Sequence, residues 1–244
     1  MASDITLCAH AGFSRPYEIF DMTQLIIGRR ALLGGAASLA ALSLAGCATS
    51  GPATVAEETT RIPPDVLAMY AALPDEQFPL PAARIDLVPR QYWRQVVDDP
   101  TGERPGTIVV DTANRYLYLV RDGGKAMRYG VGIGRDGFAW SGRAQIAYKK
   151  AWPTWTPPSE MIGRQPELEQ YRHGMPPGLG NPLGARALYI FKDGQDTLYR
   201  LHGNPDERSI GQAVSSGCVR LLNQDVIDLF ERVPSGTPIV VWQA

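Results

Sequence analysis

Thr107-Ile108-Val109-Val110-Asp111, Arg115-Tyr116-Leu117-Tyr118-Leu119-Val120, Asp122-Gly123-Gly124 and Ala126–Val131 together decide how this 244-residue chain folds. The first segment is rich in β-branched residues and the second alternates aromatic and aliphatic side chains, so both read as strands. Asp122-Gly123-Gly124 supplies the backbone freedom of a hairpin turn into the third strand. Working outward, Ala144–Lys149, Ala187–Phe191 and Thr197–His202 continue the pattern, with Asp193-Gly194 turning the last two back on each other. Pro238–Trp242 is a closing strand. Asn223–Arg232 differs: Val226, Ile227, Leu229 and Phe230 recur at helical spacing. The expected fold is mainly β, a sandwich or barrel beginning near Gly106, with one short helix after the Ser215–Arg220 segment. The 25 glycines and 20 prolines also favour short strands and turns over long helices.

Upstream of Gly106 the chain changes character. Asp65–Leu73 has room for one or two helical turns. Gln77–Pro100 is interrupted by proline and includes Tyr92-Trp93-Arg94, as expected of a strap laid on the domain. Ala48–Pro64 has no apolar period and reads as a solvated linker. Residues 1–46 read as an N-terminal extension and export signal, 47–105 as linker and strap, and 106–244 as the folded domain. With 24 basic and 25 acidic residues the charge is balanced, which leaves no electrostatic case for nucleic acid.

Arg29-Arg30, an Ala/Leu/Gly/Ser-rich stretch and Leu44-Ala45-Gly46-Cys47 follow the order of an export signal. Met22, just before the basic pair, is the expected start of translation. The tetrapeptide resembles a bacterial lipobox, in which the chain is cut before the cysteine and that cysteine is lipidated. The alternative is an ordinary secretory signal whose cleavage region contains a cysteine. Gly28-Arg29-Arg30-Ala31-Leu32-Leu33 also resembles a weakened twin-arginine signal. The Ala31–Ala45 stretch is shorter than the ~20 apolar residues of a spanning helix. Cleavage would remove Cys8 and lipidation would consume Cys47, leaving Cys218 as the remaining cysteine in an oxidising compartment.

The chemistry gathers at Leu201-His202-Gly203 and Ser215-Ser216-Gly217-Cys218-Val219-Arg220. A cysteine becomes a nucleophile when a nearby base or cation stabilises its thiolate, and His202 and Arg220 supply one of each. Gly217 permits close backbone approach, and the amides beside it could face a developing oxyanion. Arg220 offers a planar fork for a carboxylate. The segment therefore reads as an acyl-transfer site. Each residue also has a plainer role: Cys218 as a small buried side chain, His202 as a structural histidine. His173, in Arg172–Pro177, is a competing base or a lid contact. A zinc site from Cys218, His202 and His173 lacks the short ligand pair such sites use. Trp152-Pro153-Thr154-Trp155 is either an aromatic wall of a cleft or turn packing.

Ile108-Val109-Val110-Asp111, Asn181-Pro182-Leu183-Gly184-Ala185-Arg186-Ala187-Leu188, His202-Gly203 and Ser215–Arg220, in that order, resemble the L,D-transpeptidase catalytic domain, the YkuD-like domain. The resemblance covers Gly106 to Trp242. It implies peptidoglycan chemistry without a cofactor: a cysteine attacks a tetrapeptide stem, D-alanine leaves, and an amine takes the acyl group. It makes Cys218 the nucleophile, His202 its base, and the Gly203 carbonyl the group that orients the imidazole. Gly217 and Cys218 amides would form the oxyanion hole, Ser215 and Ser216 would contact substrate, and Arg220 would bind a substrate carboxylate or brace the site. Many members have histidine where this chain has Ser216, so no acid/base role is expected there. The implied partners are stem peptides, a membrane through the Cys47 lipid, and possible lipoprotein acceptors. The implied place is the periplasm, with the outer membrane favoured because Ala48 is not aspartate. A thiol hydrolase or carboxypeptidase of stems or wall attachments, and an inactive wall-binding protein, remain alternatives.

Overall fold

A computed structural model of the chain describes residues 61–134, 141–215 and 217–243, all within one compact unit, Pro52–Ala244. The signal, Met22, Cys47 and Ser216 lie outside the described residues. Among the described residues no helix is long and apolar enough to cross a membrane.

The strands are β1 (Gln95–Asp98), β2 (Ile108–Asp111), β3 (Tyr116–Arg121), β4 (Lys125–Gly130), β5 (Ile133–Gly134), β6 (Gly142–Ala151), β7 (Arg186–Lys192), β8 (Gln195–Asn204), β9 (Ala213–Ser215), β10 (Val219–Leu222) and β11 (Pro238–Trp242). Nine of them form one sheet in the order β1-β4-β3-β2-β11-β6-β7-β8-β10, while β5 and β9 pair separately. Most neighbours are antiparallel, but β11 runs parallel to β2 and β10 parallel to β8. The sheet rolls back on itself: Gly132, just past β4, exchanges two backbone hydrogen bonds with Arg220 of β10, at 2.9 and 2.8 Å. The result is the mainly β, barrel-like body expected from the sequence, with helix α3 (Asn223–Arg232) packed on it.

Patterning explains the centre of the sheet. Ile108, Val110, Ile239 and Val241 point into the main core, while Val109 and Val240 meet Tyr118, Val120 and Ala126 in a second cluster. β2 and β11 are thus buried on both faces, which is why they read as unbroken apolar runs. The tight turns fall at the expected positions, with Asp193 and Gly194 at φ 50° and 79° and Gly123 and Gly124 at 74° and 66°. Positive φ at consecutive turn residues matches the twist of the flanking strands. Val226 and Leu229 of α3 enter the main core, fixing the helix across β7 and β8.

The segment before β2 wraps this body. Among the described residues it holds the short α-helix α1 (Pro64–Met69) and two 3-10 turns, Ile85–Leu87 and Arg90–Tyr92. Part of the strap is itself a strand, since β1 joins the sheet edge against β4. The prolines upstream hid this, and only four residues carry the pairing. Tyr92 and Trp93 are buried with Tyr70, Ile85 and Val88. Arg94 reaches α3, 3.7 Å from Asp225 and 3.1 Å from Asp228. Tyr70 Oη donates to Asp225 at 3.3 Å, and Tyr129 Oη donates to Asp228 at 2.6 Å. Farther along, Glu76 accepts from Trp152 Nε1 at 2.8 Å and from both Nη atoms of Arg186. Phe78 meets the Trp152 ring edge-on at 4.9 Å. Trp152 is therefore packing between strap and body.

Candidate active site

β8 and β10 bring the two halves of the candidate site together. Their parallel register sets Arg220 beside His202 and Val219 beside Leu201, which places Cys218 just ahead of β10, level with Arg200. Side chains alternate across a strand. Leu201, Val219 and Leu221 face the core, so Arg200, His202 and Arg220 occupy the opposite face.

His202 is 5 % exposed, and Gly203 O lies 2.6 Å from its Nδ1. A carbonyl only accepts, so Nδ1 carries the proton of the neutral ring and Nε2 is the basic nitrogen. Burial pushes the imidazole down to about 4, against the backbone carbonyls of Gly203 and Pro182, which favour the protonated ring. Arg220 and Arg200 push in the same direction as burial. Cys218 is half-buried, and burial raises its thiol above the ordinary value, opposed by the Arg200 backbone amide and by both arginines. Burial thus favours the neutral thiol at Cys218 and the neutral imidazole at His202.

Glycine is required on both sides. Gly217 has φ 136°, and a Cβ there would stand 3.2 Å from the Tyr199 ring. A Cβ on Gly203 would overlap the Asn223 side chain at the start of α3. Asn223 Oδ1 accepts from Ala185 N at 2.9 Å and its Nδ2 donates to Asn204 O at 3.4 Å, so it ties the end of β8 to the Asn181–Arg186 turn. Arg220 is half-buried, and burial lowers its guanidinium, with Asp206 opposing.

A long connection, the lid, joins β6 to β7 and reaches His202 through the Pro182 carbonyl. It contains α2 (Ser159–Arg164) and the 3-10 helix Pro166–Tyr171, and Trp155 pairs with Met175 at its base. Asn181, 1 % exposed, closes it: Nδ2 donates to Pro153 O, Met175 O and Pro176 O at 3.1, 3.2 and 3.0 Å, while Oδ1 accepts from Leu183 N at 2.9 Å. His173 is exposed on this lid. Among the described residues no group of three His, Cys, Asp or Glu side chains is arranged to hold a metal.

Of the residues singled out in the sequence, His202, Gly203, Gly217, Cys218 and Arg220 converge here. Ser215 contributes to β9, and Ser216 is outside the described residues. Sequence reading missed Asn181, Asn223 and Arg200 as parts of the site. Arg200 was legible in principle, because it stands two residues from His202 on one strand face.

A sequence model of the L,D-transpeptidase catalytic domain (YkuD) matches residues 105–241, more than half of the chain. The protein named "Probable L,D-transpeptidase YbiS" of Escherichia coli strain K12 is 38 % identical over 138 residues, covering 54 % of this chain and 43 % of that protein. "Probable L,D-transpeptidase YcfS" of the same strain is 34 % identical over 145 residues, covering 57 % and 44 %. The chain thus spans less than half the length of these relatives. A solved Brucella melitensis structure described as a probable carnitine operon oxidoreductase is 42 % identical, covering 65 % of this chain and 99 % of that one, with a TM-score of 0.45.

Proposed function

The chain belongs to the L,D-transpeptidase catalytic domain family, and from that premise we propose that it is a cysteine acyltransferase acting on peptidoglycan stem peptides. Cys218 Sγ attacks the carbonyl carbon of the donor amide while the thiol proton passes to His202 Nε2. The backbone amides of Gly217 and Cys218 receive the developing oxyanion. Collapse breaks the C–N bond, and the leaving amine of D-alanine takes the proton from His202, leaving a thioester. An acceptor amine then attacks the thioester, its proton goes to His202, and the thiol is restored. Arg220, with Ser215 and Ser216, meets the donor, its guanidinium holding a carboxylate.

The observation that carries this reading is the Gly203 carbonyl 2.6 Å from Nδ1 of a buried His202, on the strand that pairs with the Cys218 segment. That contact fixes the tautomer whose other nitrogen is basic, the task a carboxylate performs in Ser-His-Asp triads. Because burial favours neutral thiol and neutral ring, the proton moves during attack, by general-base catalysis. The signal residues and Leu44-Ala45-Gly46-Cys47 support a periplasmic enzyme lipidated at Cys47, with outer-membrane delivery following from Ala48.

The test is incubation of the protein and its Cys218→Ala variant with disaccharide-tetrapeptide, followed by mass spectrometry. Thiol-dependent loss of D-alanine with a linked dimer is the expected result. Loss of D-alanine with tripeptide alone would make the acceptor water and the enzyme a carboxypeptidase. Undiminished turnover by Cys218→Ala would remove Cys218 from the chemistry.

A further inference from the structure

β8 does not run straight past the thiol. At Leu198 the backbone takes φ 64°, a left-handed conformation that a bulky side chain adopts only at a cost. The register with β7 slips at the same place, between Tyr189 and Phe191. Packing does not offset the cost, because the Leu198 side chain is 76 % exposed. Polar contacts hold the bulge instead. Asp196 Oδ1 accepts from Leu198 N at 2.8 Å. Arg200 grips both oxygens of that carboxylate at 2.7 Å and lies over the Tyr189 ring at 4.4 Å. Thr197 Oγ1 donates to Ile190 O at 2.7 Å and accepts from Tyr199 N at 3.2 Å.

The product of this arrangement faces Cys218. Leu198 O lies 3.9 Å from Sγ, and the strand register sets Cys218 level with Arg200, whose backbone amide acts to lower the thiol. We infer that the Asp196–Arg200 bulge is a positioning device for the Cys218 thiol, with left-handed Leu198 as its positioning residue and Asp196 as the clamp. Strain at functional sites persists only where surrounding structure over-determines it, and here the surroundings are three polar side chains of β8, Asp196, Thr197 and Arg200, with Ile190 O of β7. The charged groups acting on Sγ are Asp196 and Arg200 of β8 and Arg220 of β10, and the titratable His202 stands beside Arg220 on the same face. Only the value of the device for acyl transfer rests on the function proposed above; the orientation of the thiol can be measured without substrate.

A substitution series at residue 198 separates backbone from side chain. Glycine and asparagine accept positive φ, whereas valine and isoleucine resist it. The readout is the pH dependence of Cys218 alkylation by iodoacetamide in the full chain, followed on the Cys218 peptide by mass spectrometry, with circular dichroism to check the fold. Leu198→Val and Leu198→Ile are expected to raise the midpoint by about one pH unit, because a straightened strand moves the Arg200 amide away from the thiolate it favours. Leu198→Gly and Leu198→Asn keep the wild-type midpoint. Equal midpoints across all four variants, or equal shifts in all four, overturn the inference. If the valine protein does not fold, Thr197→Ala loosens the bulge without changing charge; the same rise is expected, and an unmoved midpoint overturns the inference. Failure of the transpeptidase reading appears elsewhere, as turnover that survives Cys218→Ala.

Discussion

At the scale of single residues, the buried imidazole makes a prediction about how the reaction titrates. His202 is held down to about 4, so its basic form persists through weakly acidic pH. The acid limb of kcat/KM should therefore fall with a midpoint well below the 6.5 of an ordinary histidine. A limb near 6.5 would mean that the ring is solvated in the working enzyme and titrates as an ordinary histidine. Arg220 gives a second prediction. Its guanidinium is half-buried beside His202, and a cation in that position raises affinity for a donor carboxylate. Arg220→Gln should raise KM for the tetrapeptide about tenfold or more, the size of a charge-assisted hydrogen bond. An unchanged KM with lower kcat would assign Arg220 to stabilising the thiolate instead. Neither role was decided by the sequence, because both use the same fork.

At the scale of elements, Asn181 is where the two ends of the lid are joined. Its amide holds three backbone carbonyls from the two ends of the lid, and Asn181→Ala leaves them in a buried place without that donor. A loss of about 1–3 kcal/mol is expected. It should show in hydrogen exchange as faster opening of residues 153–183, with β7 and β8 still protected. Uniform loss of protection across the molecule would mean instead that the lid is part of the global folding unit. The strands around the lid were legible because β-branched runs, tyrosine alternation and Asp-Gly turns each act locally. β1, β5, β9 and β10 were not. Each is two to four residues long, and each exists because a partner strand offers its backbone. The parallel pairing of β10 with β8 was equally hidden, although it converts a sixteen-residue separation between His202 and Cys218 into lateral proximity. Motif spacing pointed to the same residues without supplying that geometry.

At the scale of the whole molecule, strap and body are joined through charges buried under Tyr70, and this junction sets how stability should vary with pH. Asp225 is fully buried, and burial raises its carboxyl to about 7, against Arg94 and the Tyr70 hydroxyl, which lower it. Between the ordinary 3.8 and about 7, the folded protein keeps a proton that the unfolded chain releases, so this residue makes stability fall as pH rises. His202 acts in the opposite sense. Its folded value of about 4 lies below the ordinary 6.5, so the unfolded chain binds the extra proton and stability rises with pH across that window. The two slopes, each on the order of 1 kcal/mol per pH unit at most, oppose one another between about pH 4 and 6.5. The Glu76–Arg186 pair acts lower, where Glu76, depressed chiefly by its hydrogen bonds from Arg186, becomes protonated and its contribution is lost. Asp225→Asn keeps the shape and can still accept from Tyr70, but it removes the falling slope. Relative to wild type, the variant should therefore gain stability as pH rises from 4.5 to 6.5, read by urea unfolding at each pH. Parallel pH profiles for the two proteins would show that Arg94 keeps Asp225 ionised throughout. The strap would then be docked by a standing ion pair, and a protonated acid would play no part in holding it.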